Sequence, residues 1–113
     1  MKEGLSELTK QEITMHNIQV IRDAVSEYYS KYSHLYIHNE EFISSDQKRH
    51  VIDIGTSIIG TRMEIGFPGG SFVQSIVNND LRGSFANADD INVNCIRFYL
   101  MMIYNISIPG LIL

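Results

Sequence analysis

"INVNCIRFYLMMIY", residues 91–104, is the stretch that most limits what this chain can become. At 3.6 residues per turn, Ile91, Cys95, Phe98 and Met102 fall on one helix face, and Ile96, Leu100 and Ile103 fall on another. A helix that is apolar on two faces lies at the centre of a core or in an interface. Asn87 reads as its N-cap, with Asp89 and Asp90 in the first turn, where the helix dipole favours negative charge. Asn105 ends it, and the apolar tail "ISIPGLIL" is expected to dock on its own domain or on a neighbouring subunit.

Helices of complementary pattern precede it. Thr9 and Glu12 fit the T-x-x-E capping box, in which each side chain satisfies an orphan amide of the first turn. Ile13, Val20, Ile21, Ala24, Val25, Tyr28 and Tyr32 then recur at helical spacing, predicting a helix over 10–31. "SHLYIHNEEFISS" lacks that period and reads as a loop or a short hairpin around Asn39, within 35–43. Ser44 and Gln47 form a second capping box, and Val51, Ile54, Ile58 and Ile65 share a face of the helix behind it. Gly66 suits the left-handed position after that helix, with Pro68 as a stop. A third helix starts near Gly70 or Ser71 and buries Phe72, Val73, Ile76 and Val77; short turns around Gly83 lead to the last helix. The expected fold is mainly α: one domain of about four helices spanning 1–113.

With 113 residues the chain can bury one core. A formal net charge of −4 argues against a nucleic-acid polymer as partner, because duplex binding rests on many lysines and arginines. It leaves room for a small anionic ligand, which needs only a few local donors. Cys95 is the single cysteine, so no intramolecular disulfide forms, and a cytoplasmic location is expected. "MKEGLSELTKQE" lacks the apolar core of a signal peptide, and no run reaches the ~18 apolar residues of a membrane span. No membrane partner and no cofactor are expected.

"GFPGGSF", residues 66–72, admits two readings. It is a turn between core helices, or a backbone cradle whose Gly69, Gly70 and Ser71 amides hold a phosphate at a helix N-terminus. In the second reading Arg62 and Arg82 supply charge, and Phe67 or Phe72 stacks on a base. Asn79, Asp80, Asp89 and Asn92 would then read ribose or base edges; their other role is to cap turns. There is no P-loop motif. His34, His38 and His50 meet no metal-spacing rule, and Cys95 reads as a core residue. No Ser-His-Asp order appears, and an enzyme is not expected; a metal-assisted hydrolase using Asp80, Asp89 or Asp90 is the catalytic alternative.

Residues 62–109, with Gly69, Gly70, Phe72, Asn79, Asp80, Leu81, Ala88, Asp89, Asn92, Tyr104, Asn105 and Pro109 in that order, resemble a group of small proteins common in bacteriophages and prophages. Ser84 and Phe85 stand where that pattern has small or charged residues. The resemblance implies a phage accessory protein in the cytoplasm of a host bacterium, and with it an anti-defence role. Two functions are expected from this. One is a homo-oligomeric, non-catalytic sponge for a cyclic or other signalling nucleotide. The other is an acidic module that binds a host defence protein directly, through the "NEEF" and "ADD" patches.

Overall fold

The computed structural model describes residues 8–113; most of the opening segment read above for a signal peptide lies outside them. Among the described residues the chain forms five α-helices and no strand: α1 (Lys10–Tyr36), α2 (Ser45–Arg62), α3 (Ser71–Val77), α4 (Leu81–Asn87) and α5 (Asp90–Asn105). A single 3-10 turn, Glu40–Phe42, joins α1 to α2. No helix among the described residues is long and apolar enough to cross a membrane. The mainly helical expectation holds, with α4 as an additional short helix where only turns were expected.

Both capping boxes form. Thr9 Oγ1 accepts from the Glu12 amide at 3.0 Å and Glu12 Oε1 accepts from the Thr9 amide at 3.0 Å; Ser44 and Gln47 exchange the same pair of bonds. From its cap α1 runs five residues further than 10–31 predicts. Its last turns bury Ser33, and Ile37 at the C-cap is also buried, so tertiary packing holds the segment helical. The 35–43 region is therefore helix end plus 3-10 turn, not a hairpin. Asn39 supplies the reversal with a left-handed backbone, φ 57°.

The end of α2 also differs from expectation. The helix stops at Arg62, and the left-handed residue after it is Glu64, φ 58°. The Ile65 amide reaches back to the Gly60 carbonyl at 2.8 Å and the Glu64 amide to the Thr61 carbonyl at 3.2 Å. That is the paired-bond helix stop normally built on glycine. Gly66, φ 74°, lies two residues later, inside the loop.

α5 packs against α1 and α2, and α3 packs against both α2 and α4. Phe98, Tyr99, Met102 and Cys95 of α5 are fully buried, as are Ile21 and Val25 of α1 and Val51 and Ile58 of α2. Phe98 meets the rings of Tyr28, Tyr29 and Tyr99, and Tyr99 meets Phe72 edge-on at 5.8 Å. Each such buried ring contributes about 1.5–3 kcal/mol. Where the three long helices cross, Gly55 of α2 carries no side chain. A Cβ there would lie 2.8 Å from Val25 Cγ1 and 3.4 Å from Met102 Sδ.

The tail docks on its own domain. Asn17, buried in α1, donates to the Ile112 carbonyl at 2.7 Å and accepts from the Ile112 amide at 2.8 Å. His16 Nε2 lies 3.1 Å from the Gly110 carbonyl oxygen. Ile106, Ile108 and Leu111 pack against the core.

Two stability measurements check this packing. Asn17→Ala leaves both polar groups of Ile112 without their protein partner, and should cost about 1–3 kcal/mol in denaturant unfolding. Amide exchange should rise selectively over residues 106–113. Gly55→Ala gains about 1 kcal/mol of helix propensity but overfills the crossing, a cost of about 1–3 kcal/mol. The net result should be a lower melting temperature, whereas a rise would show that Val25 yields freely.

Candidate functional site

The "GFPGGSF" loop is strapped to α2. The Gly69 amide donates to Thr61 Oγ1 at 2.9 Å, and the Gly69 carbonyl accepts from Gln74 Nε2 at 2.7 Å. A Cβ at Gly69 would lie 2.5 Å from Ser57 Oγ and 2.6 Å from Val73 Cγ1. Glycine is needed there because the loop lies directly against its neighbours. Gly70 is the N-cap of α3, with an extended backbone and open space where a Cβ would be. Ser71 is exposed, and its carbonyl accepts from Ser75 Oγ at 2.8 Å. Phe72 points into the core, while Phe67 is almost wholly exposed. Arg82 is an exposed residue of α4, and Arg62 lines a separate groove with Ile103, Ile108 and Leu111.

The asparagine and aspartate cluster builds turns and a core bond. Asn79 is the left-handed residue after α3, φ 58°, in a second paired-bond stop. There the Asp80 amide meets the Ser75 carbonyl at 2.8 Å and the Asn79 amide meets the Ile76 carbonyl at 3.1 Å. Asp80 caps α4 by accepting from the Gly83 amide at 3.0 Å. Asp89, rather than Asn87, caps α5, with Oδ1 accepting from the Asn92 amide at 2.7 Å. Asn87 instead donates to the Gly83 carbonyl at 2.9 Å. The Asn92 side chain is buried and accepts the Tyr99 hydroxyl at 2.8 Å. The structure thus gives Asn79, Asp80, Asp89 and Asn92 separate structural tasks. None of Gly69, Gly70, Ser71, Asn79, Asp80, Asp89 or Asn92 lines the grooves described here.

Cys95 and Tyr99 are sealed in the core. Burial pushes the Cys95 thiol up to about 12, with the Asp89 carboxylate adding to the rise, so it stays protonated near neutral pH and is no nucleophile there. Burial likewise raises Tyr99. Among the described residues no group of three or more His, Cys, Asp or Glu side chains is placed to hold a metal ion.

Two surface features stand out from this frame. The first joins the two acidic segments. His50 Nε2 lies 2.9 Å from Asp89 Oδ2, tying α2 to the start of α5. Phe42, Gln47, Ile91 and Asn94 line a shared groove of about 170 Å³. In the sequence Glu40 and Glu41 precede Phe42, Asp89 and Asp90 precede Ile91, and Asp46, Lys48 and Arg49 lie near the start of α2. Arg49 is paired with Asp46 at 3.3 Å, and the Lys48 ammonium lies over the Tyr29 ring at 5.6 Å. Phe42, on the groove wall, is 78 % exposed. The acidic residues are visible in the sequence, but the shared groove is not, because some fifty positions separate the two segments.

The second feature is an apolar face. Val93, Arg97, Leu100 and Tyr104 form one stripe along α5, and a groove of about 740 Å³ runs beside it between α4 and the end of α1. Leu35, Leu81 and Phe85 are each more than half exposed on its walls. Arg97 lies over the Tyr36 ring at 5.4 Å. Both faces of α5 read from sequence pack on the core, the second with Leu100 and Ile103 partly buried, and the stripe with Val93, Arg97 and Tyr104 lies on the far side of the helix.

No protein-family model matches the chain, and neither a curated protein nor a solved structure matches it.

Two neighbouring glycines should respond in opposite directions. Gly69→Ala meets Ser57 and Val73 and should cost about 1–3 kcal/mol. Gly70→Ser adds a capping hydroxyl at an extended N-cap and should gain a few tenths of a kcal/mol. Chemical denaturation of both variants reads the contrast, and equal effects would contradict the strapped loop.

Proposed function

We propose that this chain is a non-catalytic protein-interaction module that engages a basic surface of its partner through the end where the "NEEF" and "ADD" segments meet. The carrying observation is that Asn39 and Phe42 of the first segment and Ile91 and Asn94 beside the second line one groove, with Phe42 exposed and Asp89 tied to His50. An aromatic side chain that fills a pocket on a partner supplies much of the binding energy of a typical interface. Surrounding charge of one sign speeds encounter and selects partners of the opposite sign. In this reading the partner is a defence protein of a host bacterium, the kind of target that the resemblance of residues 62–109 to bacteriophage proteins implies.

The nucleotide-sponge reading draws on the Gly69, Gly70 and Ser71 amides with Arg62, Arg82, Asn79, Asp80, Asp89 and Asn92. It finds less support, since the Gly69 amide is taken by Thr61 and the four Asn and Asp residues are engaged in caps, a helix stop and the core.

Immobilised protein incubated with host-cell extract separates the two. Wild type should retain a discrete basic partner at low salt and lose it progressively as salt rises. Phe42→Ala should weaken the purified complex by about 30-fold, the size of a 2 kcal/mol anchor. Glu40→Lys combined with Asp90→Lys should abolish capture. Retention by all variants alike would overturn the assignment of this surface. A thermal shift of several degrees with a cyclic dinucleotide or cyclic ADP-ribose, and no protein captured, would move the conclusion to the sponge.

A further inference from the structure

We infer that the groove between the ends of α2 and α5 binds a single-chain aliphatic carboxylate, with Arg62 holding the carboxylate and apolar walls holding the chain. Ile59 and Met63 at the end of α2, Ile103 in the last turn of α5, and Ile106, Ile108 and Leu111 of the tail line it together with Arg62, around a volume of about 330 Å³. Every lining residue except that arginine is apolar. Small-molecule sites are built this way, with mostly apolar walls, a few polar groups that fix orientation, and volumes of about 300–1,000 Å³. The rest of the fold holds the walls in place. Ile59 is buried in the core, and Ile103, Ile106, Ile108 and Leu111 pack against it. The tail is pinned on α1 by the Asn17 bonds to Ile112 and by the His16 contact with Gly110.

Charge identifies the class of ligand. Arg22 pairs with Asp53, Arg49 pairs with Asp46, and Arg97 lies over the Tyr36 ring. Arg82 is exposed on α4, away from this groove. Arg62 stands at the groove and pairs with no carboxylate among the described residues. The negative end of the α2 dipole accounts for a cation at this position, but not for the six apolar residues beside it. The grooves lined by Glu27 and Lys31, by Glu40 and Lys48, and by Glu41 and Arg97 each hold both signs of charge. This one holds a single positive charge and no negative one, on a chain of net charge −4. One cation matches a monoanion better than a phosphate monoester, which carries nearly two charges. A guanidinium binds a carboxylate through two parallel hydrogen bonds. A bare inorganic anion leaves the walls unused, and a neutral hydrocarbon leaves the arginine unused; an aliphatic carboxylate engages both. This inference does not rest on the proposed function, which uses Phe42 and the acidic end.

Proton–nitrogen NMR titration of the full chain with hexanoate, octanoate and decanoate, each below its micelle concentration, tests it. Wild type should show saturable shifts at Arg62, Met63, Ile103 and Ile108, with affinity rising roughly two- to fourfold per added methylene until the groove is filled. Decanol should bind more weakly than decanoate. Arg62→Gln should weaken decanoate roughly three- to tenfold and leave decanol as it is. Met63→Ser shortens one wall at a residue that is 38 % exposed, and should weaken both ligands by an independent route. Phe42→Ala should alter neither, so this site and the proposed interaction surface stand or fall separately. A wild type with no saturable shift in decanoate would overturn the inference. So would equal affinity for decanoate and decanol, or decanoate bound as tightly by folded Arg62→Gln as by wild type. Shifts at these residues with phosphatidylglycerol vesicles, and none with dispersed decanoate, would overturn it in favour of a lipid surface.

Discussion

Three long helices can cross at one point only if one of them surrenders a side chain, and Gly55 does so. With Val25 on one side and Met102 on the other, α2 lies so close to both partners that a methyl group would not fit without displacement. Glycine in a helix interior costs about 1 kcal/mol relative to alanine. That cost is offset by what the close approach allows. Ile21, Val25, Val51, Ile58, Cys95, Phe98, Tyr99 and Met102 all become fully buried around the crossing. The angle set there decides where the ends of α1 and α5 emerge, and so where both surface features lie.

Polar residues then fix the ends of the helices that the crossing holds together. Each helix start after a turn has a specific oxygen or an open cap: Thr9, Ser44, Asp80 and Asp89 accept amides, and Gly70 leaves α3 uncapped by a side chain. Two of the stops, after α2 and α3, use left-handed Glu64 and Asn79. Asparagine tolerates that backbone better than most residues, whereas glutamate has no such compensation and its position costs about 1–2 kcal/mol. The docking of the Gly69 loop on Thr61 and Ser57, just beyond, holds that stop in place. At the other end of the chain, Asn17 satisfies both backbone groups of Ile112 and so closes the apolar tail over α1.

What was legible in the sequence depended on the distance over which the decisive interaction acts. The Thr9–Glu12 and Ser44–Gln47 boxes were readable because each is complete within four residues. The core faces of α1, α2 and α5 were readable because burial repeats at the helical period. The C-terminal turns of α1 were not, since Ser33 and Ile37 are buried by contacts with other elements and the local pattern around "HLYIHN" is aromatic and aperiodic. The α2 stop was misplaced because Gly66 has the better intrinsic propensity, yet the backbone turns two residues earlier, at Glu64. The docking of the "GFPGGSF" loop involves Thr61, Ser57 and Val73, none of which the turn chemistry of the loop itself reveals. That Phe42 and Ile91 line one groove was beyond local reading, as some fifty positions separate them.

One chain of hydrogen bonds connects the core to that acidic end. The Tyr99 hydroxyl, with no exposed surface, donates to the Asn92 side chain; the Asn92 amide donates to Asp89; and the other Asp89 oxygen meets His50. Asp89 thereby does two things at once. It caps α5 and fixes the lateral position of α2 against it. Phe42 stands at the end of the short turn that leads into α2. The Asp89 end of α5 is in this sense an extension of the core, tied to it through Asn92 and Tyr99 rather than standing as a loose surface patch.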